Sequence, residues 1–431
     1  MAEVTGRGEK PRRRRFRAYR EYRDSSVESL CEIPSHWSAL SIKRVCRLCY
    51  GESLAANDRA DGDVVVFGSN GPVGTHARAN TEAPCLIVGR KGSFGRVNYS
   101  ARAVFAIDTT FFTDARHTKG DLRWAYYALQ CARLDAISRD SAIPGLDRED
   151  AYARAIAVGP IHEQRAIADF LDRETATIDA LVAKRERLIE LLQEKRTALI
   201  TRAVTRGLDP NVPMKDSGVE WLGEIPAHWK LTPLKRILRR CDYGISESLG
   251  GGGDIRVLTM AHVQDGETVL PDDGSIDAVD RTLILESGDL LFNRTNSREL
   301  VAKVGIFRGD RQEQVTFASY LVRLTARDNV EPEWLNYLLN STGLLGMARS
   351  MALLSVNQAN LNPTKYQRIV VPMPELSEQR RIAGFAKHEA TRIDTLVRKI
   401  REAIDQLKEF RMAVISAAVT GKIDVREAAP R

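Results

Sequence analysis

The sequence predicts an α+β chain. Two mixed α/β globular domains alternate with two long helices that pair as an antiparallel coiled coil, giving a pseudo-twofold internal repeat. Three observations predict it. Residues 163–209 and 378–424 match at 22 of 47 positions without a gap, at a constant offset of 215. A second echo precedes each copy: the stretch from Asp24 to Trp37 recurs from Asp216 to Trp229 at an offset of 192. Inside the repeated helix, apolar residues stand three and four apart over many turns. A period this long is duplication of a whole domain, not a solenoid repeat.

The elements follow in order. Residues 1–23 hold nine Lys/Arg against Glu3, Glu9 and Glu21, a net of +6 out of the chain's +7. The sequence pI of about 9.1 therefore reports a basic, disordered tail on a nearly neutral body. Such a tail either holds phosphates electrostatically or is a leader that binds nothing specific, and composition leans to the second. The first globular domain, 24–159, alternates β-like runs (64–67, 85–88, 104–107, 155–158) with Gly/Asn/Pro turns, interrupted by a helix over 122–131. A helical region over 160–207 follows. The second globular domain, 208–374, repeats the order with strands near 256–260, 289–292, 320–324 and 368–371 and a helix over 332–339. The two offsets differ by 23, so this domain carries about that much extra chain. A second helical region spans 375–421, and 422–431 is a C-terminal tail.

In the second helix Ile393, Leu396, Ile400, Ala403, Leu407, Phe410 and Val414 are spaced 3-4-3-4-3-4, a heptad seam. The first carries Ile178, Leu181, Leu188, Leu192 and Leu199, with Arg185 and Lys195 where the second copy has Ile400 and Phe410. Each seam's simplest partner is the other. Forty-five residues at 1.5 Å each make a rod of roughly 65 Å.

Composition excludes several classes. The charged fraction of 28% and hydrophobic fraction of 43% are those of an ordinary globular protein, and no apolar stretch approaches a bilayer span. Six scattered cysteines, with only Cys46-x-x-Cys49 closely spaced, point to free thiols and a cytoplasmic protein. There is no Walker A sequence, no Gly-x-Gly-x-x-Gly after a strand, no His-Glu-x-x-His and no Gly-x-Ser-x-Gly. The glycine run 250–253 lacks the Lys-Ser/Thr of a phosphate cradle, and Asn362-Pro-Thr-Lys365 reads as a turn before a strand. His36 and His228, in the repeated Pro-x-His-Trp, read as structural.

Three motif sets carry a family resemblance across nearly the whole chain. The first is Glu32–Trp37 (with Cys31 where a glycine is usual) and Gly223–Trp229. The second is the Glu-Gln-Arg-x-Ile-Ala start of each helix, Glu163–Ala168 and Glu378–Ala383, with Ile-Asp at 178–179 and 393–394. The third is Val88-Gly-Arg-Lys-Gly-Ser-Phe-Gly95 with Ile107-Asp-Thr-Thr-Phe111, and Leu291-Phe-Asn-Arg-Thr-Asn-Ser297. Together they resemble the specificity subunit of type I restriction-modification systems. The resemblance implies two target recognition domains, each contacting one half of a bipartite, asymmetric site in double-stranded DNA. It also implies that the helix pair sets the spacing and carries two modification (methyltransferase) subunits, with restriction subunits joining for cleavage. The chain itself would be non-catalytic and without cofactors, S-adenosylmethionine, ATP and Mg being held by the partners.

Candidate readers lie on turns next to strands. Arg90, Lys91 and Ser93 follow a strand on a Gly-flexed loop, and Asn293, Arg294, Thr295, Asn296 and Arg298 occupy the matching place. Arginine can grip guanine bidentately and asparagine adenine. Ser69, Asn70 and His76 form a further polar Gly-rich loop, and Asn357 and Gln358 lie on a loop before the last strand of the second domain. The competing reading is a two-headed coiled-coil adaptor whose domains do not read DNA.

Overall fold

The computed structural model describes residues 17–136, 145–246, 252–309, 314–355 and 358–426. The chain divides into two compact units, Met1–Arg185 with Glu402–Arg431, and Glu186–Arg401. The divisions fall inside the two long helices, Ile161–Arg206 and Leu376–Val419, and not at the domain–helix junctions. Each unit holds one globular domain, one end of its own long helix and the opposite end of the other.

In the first unit a four-stranded antiparallel sheet runs in the order Cys49–Tyr50, Thr110–Asp114, Cys85–Gly89, Val97–Ser100. In the second unit the same four positions are Leu238–Tyr243, Leu321–Ala326, Leu290–Asn293 and Val304–Ile306, extended by a hairpin of Val263–Gln264 and Glu267–Thr268. A side sheet also repeats. Val64–Gly68 takes Phe105–Ala106 in parallel, as Ile255–Leu258 takes Val315–Phe317. The helices expected at 122–131 and 332–339 are Leu122–Cys131 and Pro332–Leu339, and both turn a tryptophan, Trp124 or Trp334, into the core.

The two sequence echoes are two halves of one clamp. Glu32–Pro34 and Glu224–Pro226 are strands that close small hairpins, and the turn after each presents His-Trp to the start of a long helix. Trp37 Nε1 donates to Glu163 Oε2 (2.8 Å), and His36 Nε2 lies 2.8 Å from Oε1. In the second unit Trp229 Nε1 donates to Glu378 Oε2 (3.0 Å), with His228 Nε2 at 3.0 Å. The neighbouring glutamine serves the short helix. Gln164 Oε1 accepts from the Asp121 N–H (2.9 Å) and its Nε2 donates to the Gly159 carbonyl (2.8 Å). Gln379 does the same with Glu331 and Pro374, both at 2.8 Å. Buried polar groups so paired fix one geometry, since each lost partner leaves an unsatisfied group. The Glu-Gln motif thus exists to lock a long helix onto its domain.

Within each unit the two long helices run antiparallel. In the first, Glu163 lies near Arg426 (3.5 Å) and Asp179 near Arg411 (2.9 Å). In the second, Arg196 meets Asp394 (3.3 Å), and Ile200 packs with Ala386 and Ala390. These ion pairs occupy the same two positions, 215 apart: the Asp of each Ile-Asp motif pairs with the arginine of the other helix.

The seam differs from the expected one by one residue in alternate turns. Ile178 and Ile393 are buried, Ile400, Leu407, Leu192 and Leu199 half-buried, and Val414 buried, as expected. Leu181, Leu188, Leu396 and Phe410 are instead exposed, and the inward places fall to Val182, Ile189, Val397 and Ile404. Both i+3 and i+4 rows satisfy a heptad, and the facing helix decides which is covered. Arg185, expected to interrupt the seam, lies on it half-buried, while Lys195 is exposed.

The tails are also corrected in part. Of the segment 1–23 expected to be disordered, 17–23 are structured: Tyr19 is buried and donates to Glu163 Oε2 (3.1 Å), and Tyr22–Asp24 is a strand. Asp424 N–H donates to the Arg17 carbonyl (2.8 Å), and Val425 is buried, so the start of the expected C-terminal tail is structured as well. Residues 1–16 and 427–431 lie outside the described residues.

Candidate nucleic-acid interface

Strand Cys85–Gly89 ends where the chain folds back tightly: Gly95 N–H donates to the Gly89 carbonyl (2.8 Å), and a Cβ on Gly89 would lie 2.2 Å from the Ser93 carbonyl oxygen. Gly92 and Gly95 take positive φ within this turn. The fold-back projects Arg90 beside Tyr50, its guanidinium 4.9 Å from the ring centroid, with Nη1 donating to the Asp108 carbonyl (3.0 Å). Arg148 lies over the same ring at 4.8 Å, so two guanidinium groups flank one tyrosine that is 47% exposed. Lys91 and Ser93 are exposed on the turn.

The second unit rebuilds this site. Arg294 lies 5.3 Å from the ring of Tyr243, itself 51% exposed, and its Nη1 donates to the Ser319 carbonyl (3.2 Å). Backbone details match too. The Arg90 carbonyl accepts from Leu146 N–H and the Arg294 carbonyl from Leu361 N–H, both at 2.8 Å. A cation held against an aromatic face keeps its planar donor edges oriented, which suits bidentate hydrogen bonding to a base or phosphate.

The other expected readers divide. Asn293 and Thr295 are buried, because the chain here is strand and not loop: Leu290–Asn293 leads into Thr295–Asn296, which pairs with Gln358–Asn360. Alternation turns Asn293 and Thr295 inward and Arg294 outward. Asn296 is half-buried, its Oδ1 accepting from Ser297 N–H (2.8 Å), while Arg298 and Gln358 are exposed. Asn70 is exposed and accepts from Arg96 Nη1 (2.6 Å). His76 is corrected from reader to structural residue: it is buried, its Nδ1 accepts from Ala60 N–H (3.0 Å), and it packs edge-on against Phe105. Asn357 lies outside the described residues.

Sequence reasoning missed Tyr50, Arg148, Tyr243 and the Arg294 partner Asn360, whose Oδ1 accepts from Nη2 (3.3 Å). A signal existed for the tyrosines: Tyr50-Gly51 recurs as Tyr243-Gly244, 193 residues on. Neither glycine tolerates a side chain, a Cβ falling 2.0 Å from the Ile107 carbonyl oxygen or 2.1 Å from that of Phe317.

No family model matches the chain. It is 21% identical over 443 residues to the type I restriction enzyme EcoBI specificity subunit of Escherichia coli, covering 94% of this chain and 90% of that one. It is 24% identical over 317 residues to the MjaVIII specificity subunit of Methanocaldococcus jannaschii, 70% of each chain. A shorter match, 27% identical over 206 residues, spans 47% of a further specificity subunit of that organism. Its fold matches, with a TM-score of 0.60 at 16% identity, a chain of a type I restriction-modification system solved to explain complex assembly and conformational transition. That match covers 90% of this chain and 98% of the other. With its duplicated clamp and reciprocal helix pairs, the chain is similar, in one case over nearly its whole length, to specificity subunits of type I restriction enzymes.

Proposed function

We propose that this chain is the sequence-reading, non-catalytic subunit of a type I restriction-modification enzyme, each globular domain contacting one half of a bipartite, asymmetric DNA site. The observation that carries the reading is the arginine-on-tyrosine pair, built twice at equivalent places from Arg90 with Tyr50 and Arg294 with Tyr243. Lys91, Ser93, Arg298 and Gln358 flank these pairs as further polar contacts, to phosphates or base edges. No observation favours the adaptor reading.

The two long helices are read as one antiparallel coiled coil that sets the distance between half-sites. Two methyltransferase subunits would dock on them, and restriction subunits would join for cleavage. The exposed apolar residues Leu181, Leu188, Leu396 and Phe410 supply helix faces for that docking. S-adenosylmethionine, ATP and Mg belong with those partners; among the described residues no cluster of three His, Cys, Asp or Glu could hold a metal. No helix among them is long and apolar enough to cross a membrane, and the proposed setting is the cytoplasm.

The test is DNA binding by the chain assembled with its methyltransferase partner. Arg90→Ala and Arg294→Ala should each weaken specific binding by about 10- to 100-fold, the roughly 1–3 kcal/mol of a bidentate base contact. Non-specific binding should change far less. Equal affinity of the wild-type complex for specific and random duplexes at physiological salt contradicts the proposal.

A further inference from the structure

Because the units are copies, a place where they differ is informative. In the first unit the short helix Leu122–Cys131 is tied to the long helix behind it. Tyr127 Oη donates to Asp172 Oδ1 (2.6 Å) and lies 3.2 Å from Thr175 Oγ1, while Arg123 Nε donates to Asp172 (2.7 Å). At the offsets that superpose the copies, the second unit has Tyr337, Lys387, Ala390 and Glu333 in these four places. Lysine and alanine offer no acceptor to the tyrosine hydroxyl. Glu333 turns away to Arg308, which is held on its other side by Glu267 (2.6 Å).

The untied gap is a cavity of about 980 Å³ between the short helices Pro332–Leu339 and Thr342–Ser350 and the long helices. That volume is typical of small-molecule sites, roughly 300–1,000 Å³. Its wall is apolar at Ile200, Leu345, Ala390 and the Tyr337 ring. Its polar lining favours an anion. Lys303 and Lys387 have no carboxylate partner among the described residues, whereas Asp394 is paired to Arg196 (3.3 Å) and Glu267 to Arg308. Asp265 is the remaining carboxylate of the lining. Ser341, only 1% exposed, lines the cavity with a hydroxyl that has no hydrogen-bond partner. A buried, unpaired hydroxyl is uncommon in a finished core and expected where a ligand completes it.

We infer that this cavity binds one small organic anion with an apolar body, at a site the first unit lacks. The anionic group is held by Lys303 and Lys387, the Ser341 hydroxyl supplies a hydrogen bond, and the apolar body lies on Ile200, Leu345 and Tyr337. The bound molecule ties short helix to long helix, as Tyr127, Asp172 and Arg123 do in the other copy. The site is independent of the DNA-reading proposal.

The probe is 8-anilinonaphthalene-1-sulfonate, an aromatic sulfonate, titrated by fluorescence against the purified full-length chain. One saturable site per chain is expected, with displacement by phenyl phosphate or phenylacetate showing which anionic head is preferred. Lys387→Glu should weaken the site at least tenfold. Gly346→Phe should abolish it by filling the cavity, since a Cβ there meets nothing within 4 Å. Lys303→Gln, a milder change, should weaken it several-fold with an unaltered melting temperature. Absence of binding, or equal binding by wild type and either lysine variant, overturns the inference.

Discussion

Ser26 and Cys31 hold left-handed backbone, with φ of 58° and 55°, where the second unit has Gly218 and Gly223 at 64° and 65°. An L side chain in that region costs about 1–2 kcal/mol, and glycine's greater unfolded freedom offsets part of the gain. Cys31→Gly and Ser26→Gly should therefore each stabilise the first unit by about 0.5–1 kcal/mol in urea unfolding. A second residue-scale prediction concerns Glu163. Burial pushes its carboxyl up, but hydrogen bonds from Trp37, His36 and Tyr19 outweigh this and leave it below the ordinary glutamate value. A carboxylate lowered on folding contributes stability that is present above its unfolded pKa and lost as pH falls through the folded one. Glu163→Gln should thus lower the melting temperature at pH 7 and by a smaller margin below about pH 4.5. The role of the histidines was legible in part: repetition marked Pro-x-His-Trp as structural, but nothing in the sequence paired it with a glutamate 126 residues from Trp37. His76 was misread because a polar, Gly-rich run hides a β-hairpin, which buries both ends of the strand Gly71–His76 and leaves its middle exposed.

At the scale of elements, the two long helices and the helices Leu122–Cys131 and Pro332–Leu339 were legible from period and flanking residues. The face each long helix covers was only half legible. A row at 393, 400, 407 and 414 is common to both heptad choices, and local sequence does not show whether Leu396 or Val397 completes it. The structure turns Val397 and Ile404 inward. Ile404→Ala should cost about 2–4 kcal/mol, whereas Leu396→Ala should cost less than about 0.5 kcal/mol in the chain alone and weaken methyltransferase docking instead. Strand readers failed for a related reason: a tract rich in Asn and Thr resembles a loop in composition, yet pairing makes it strand, and only alternate residues face out. The second domain also hides a buried arginine that sequence could not flag. Arg323 is almost fully buried against Asp242 and the Thr282 and Ile284 carbonyls, with Asp289 at 3.7 Å. Arg323→Ala should destabilise the second unit by roughly 3–5 kcal/mol, because it strands buried carboxylate charge.

For the whole molecule, duplication was the most legible feature. The 23 additional residues of the second domain were countable but could not be placed. The offset is 193 at Tyr50 and Tyr243, 210 at Trp124 and Trp334, and 215 from the last strand onward. Most of the extra chain therefore enters between the arginine-facing tyrosine and the short helix, in the region holding the added hairpin Val263–Gln264 and Glu267–Thr268. If the paired helices set the spacing of the half-sites, four residues inserted beside Leu188 should change the number of unspecified bases in the methylated motif or abolish methylation. An unchanged motif would mean that the paired helices do not set the spacing.

In the proposed function, two equivalent arginine-on-tyrosine sites each read one half of a bipartite DNA sequence. Sequencing methylated adenines in DNA from cells carrying the system with wild-type, Arg90→Ala or Arg294→Ala chain tests it directly. The expected result is a two-part motif for the wild type, relaxed in one half by Arg90→Ala and in the other half by Arg294→Ala. An unaltered motif in both variants, or relaxation of the same half by both, would contradict it.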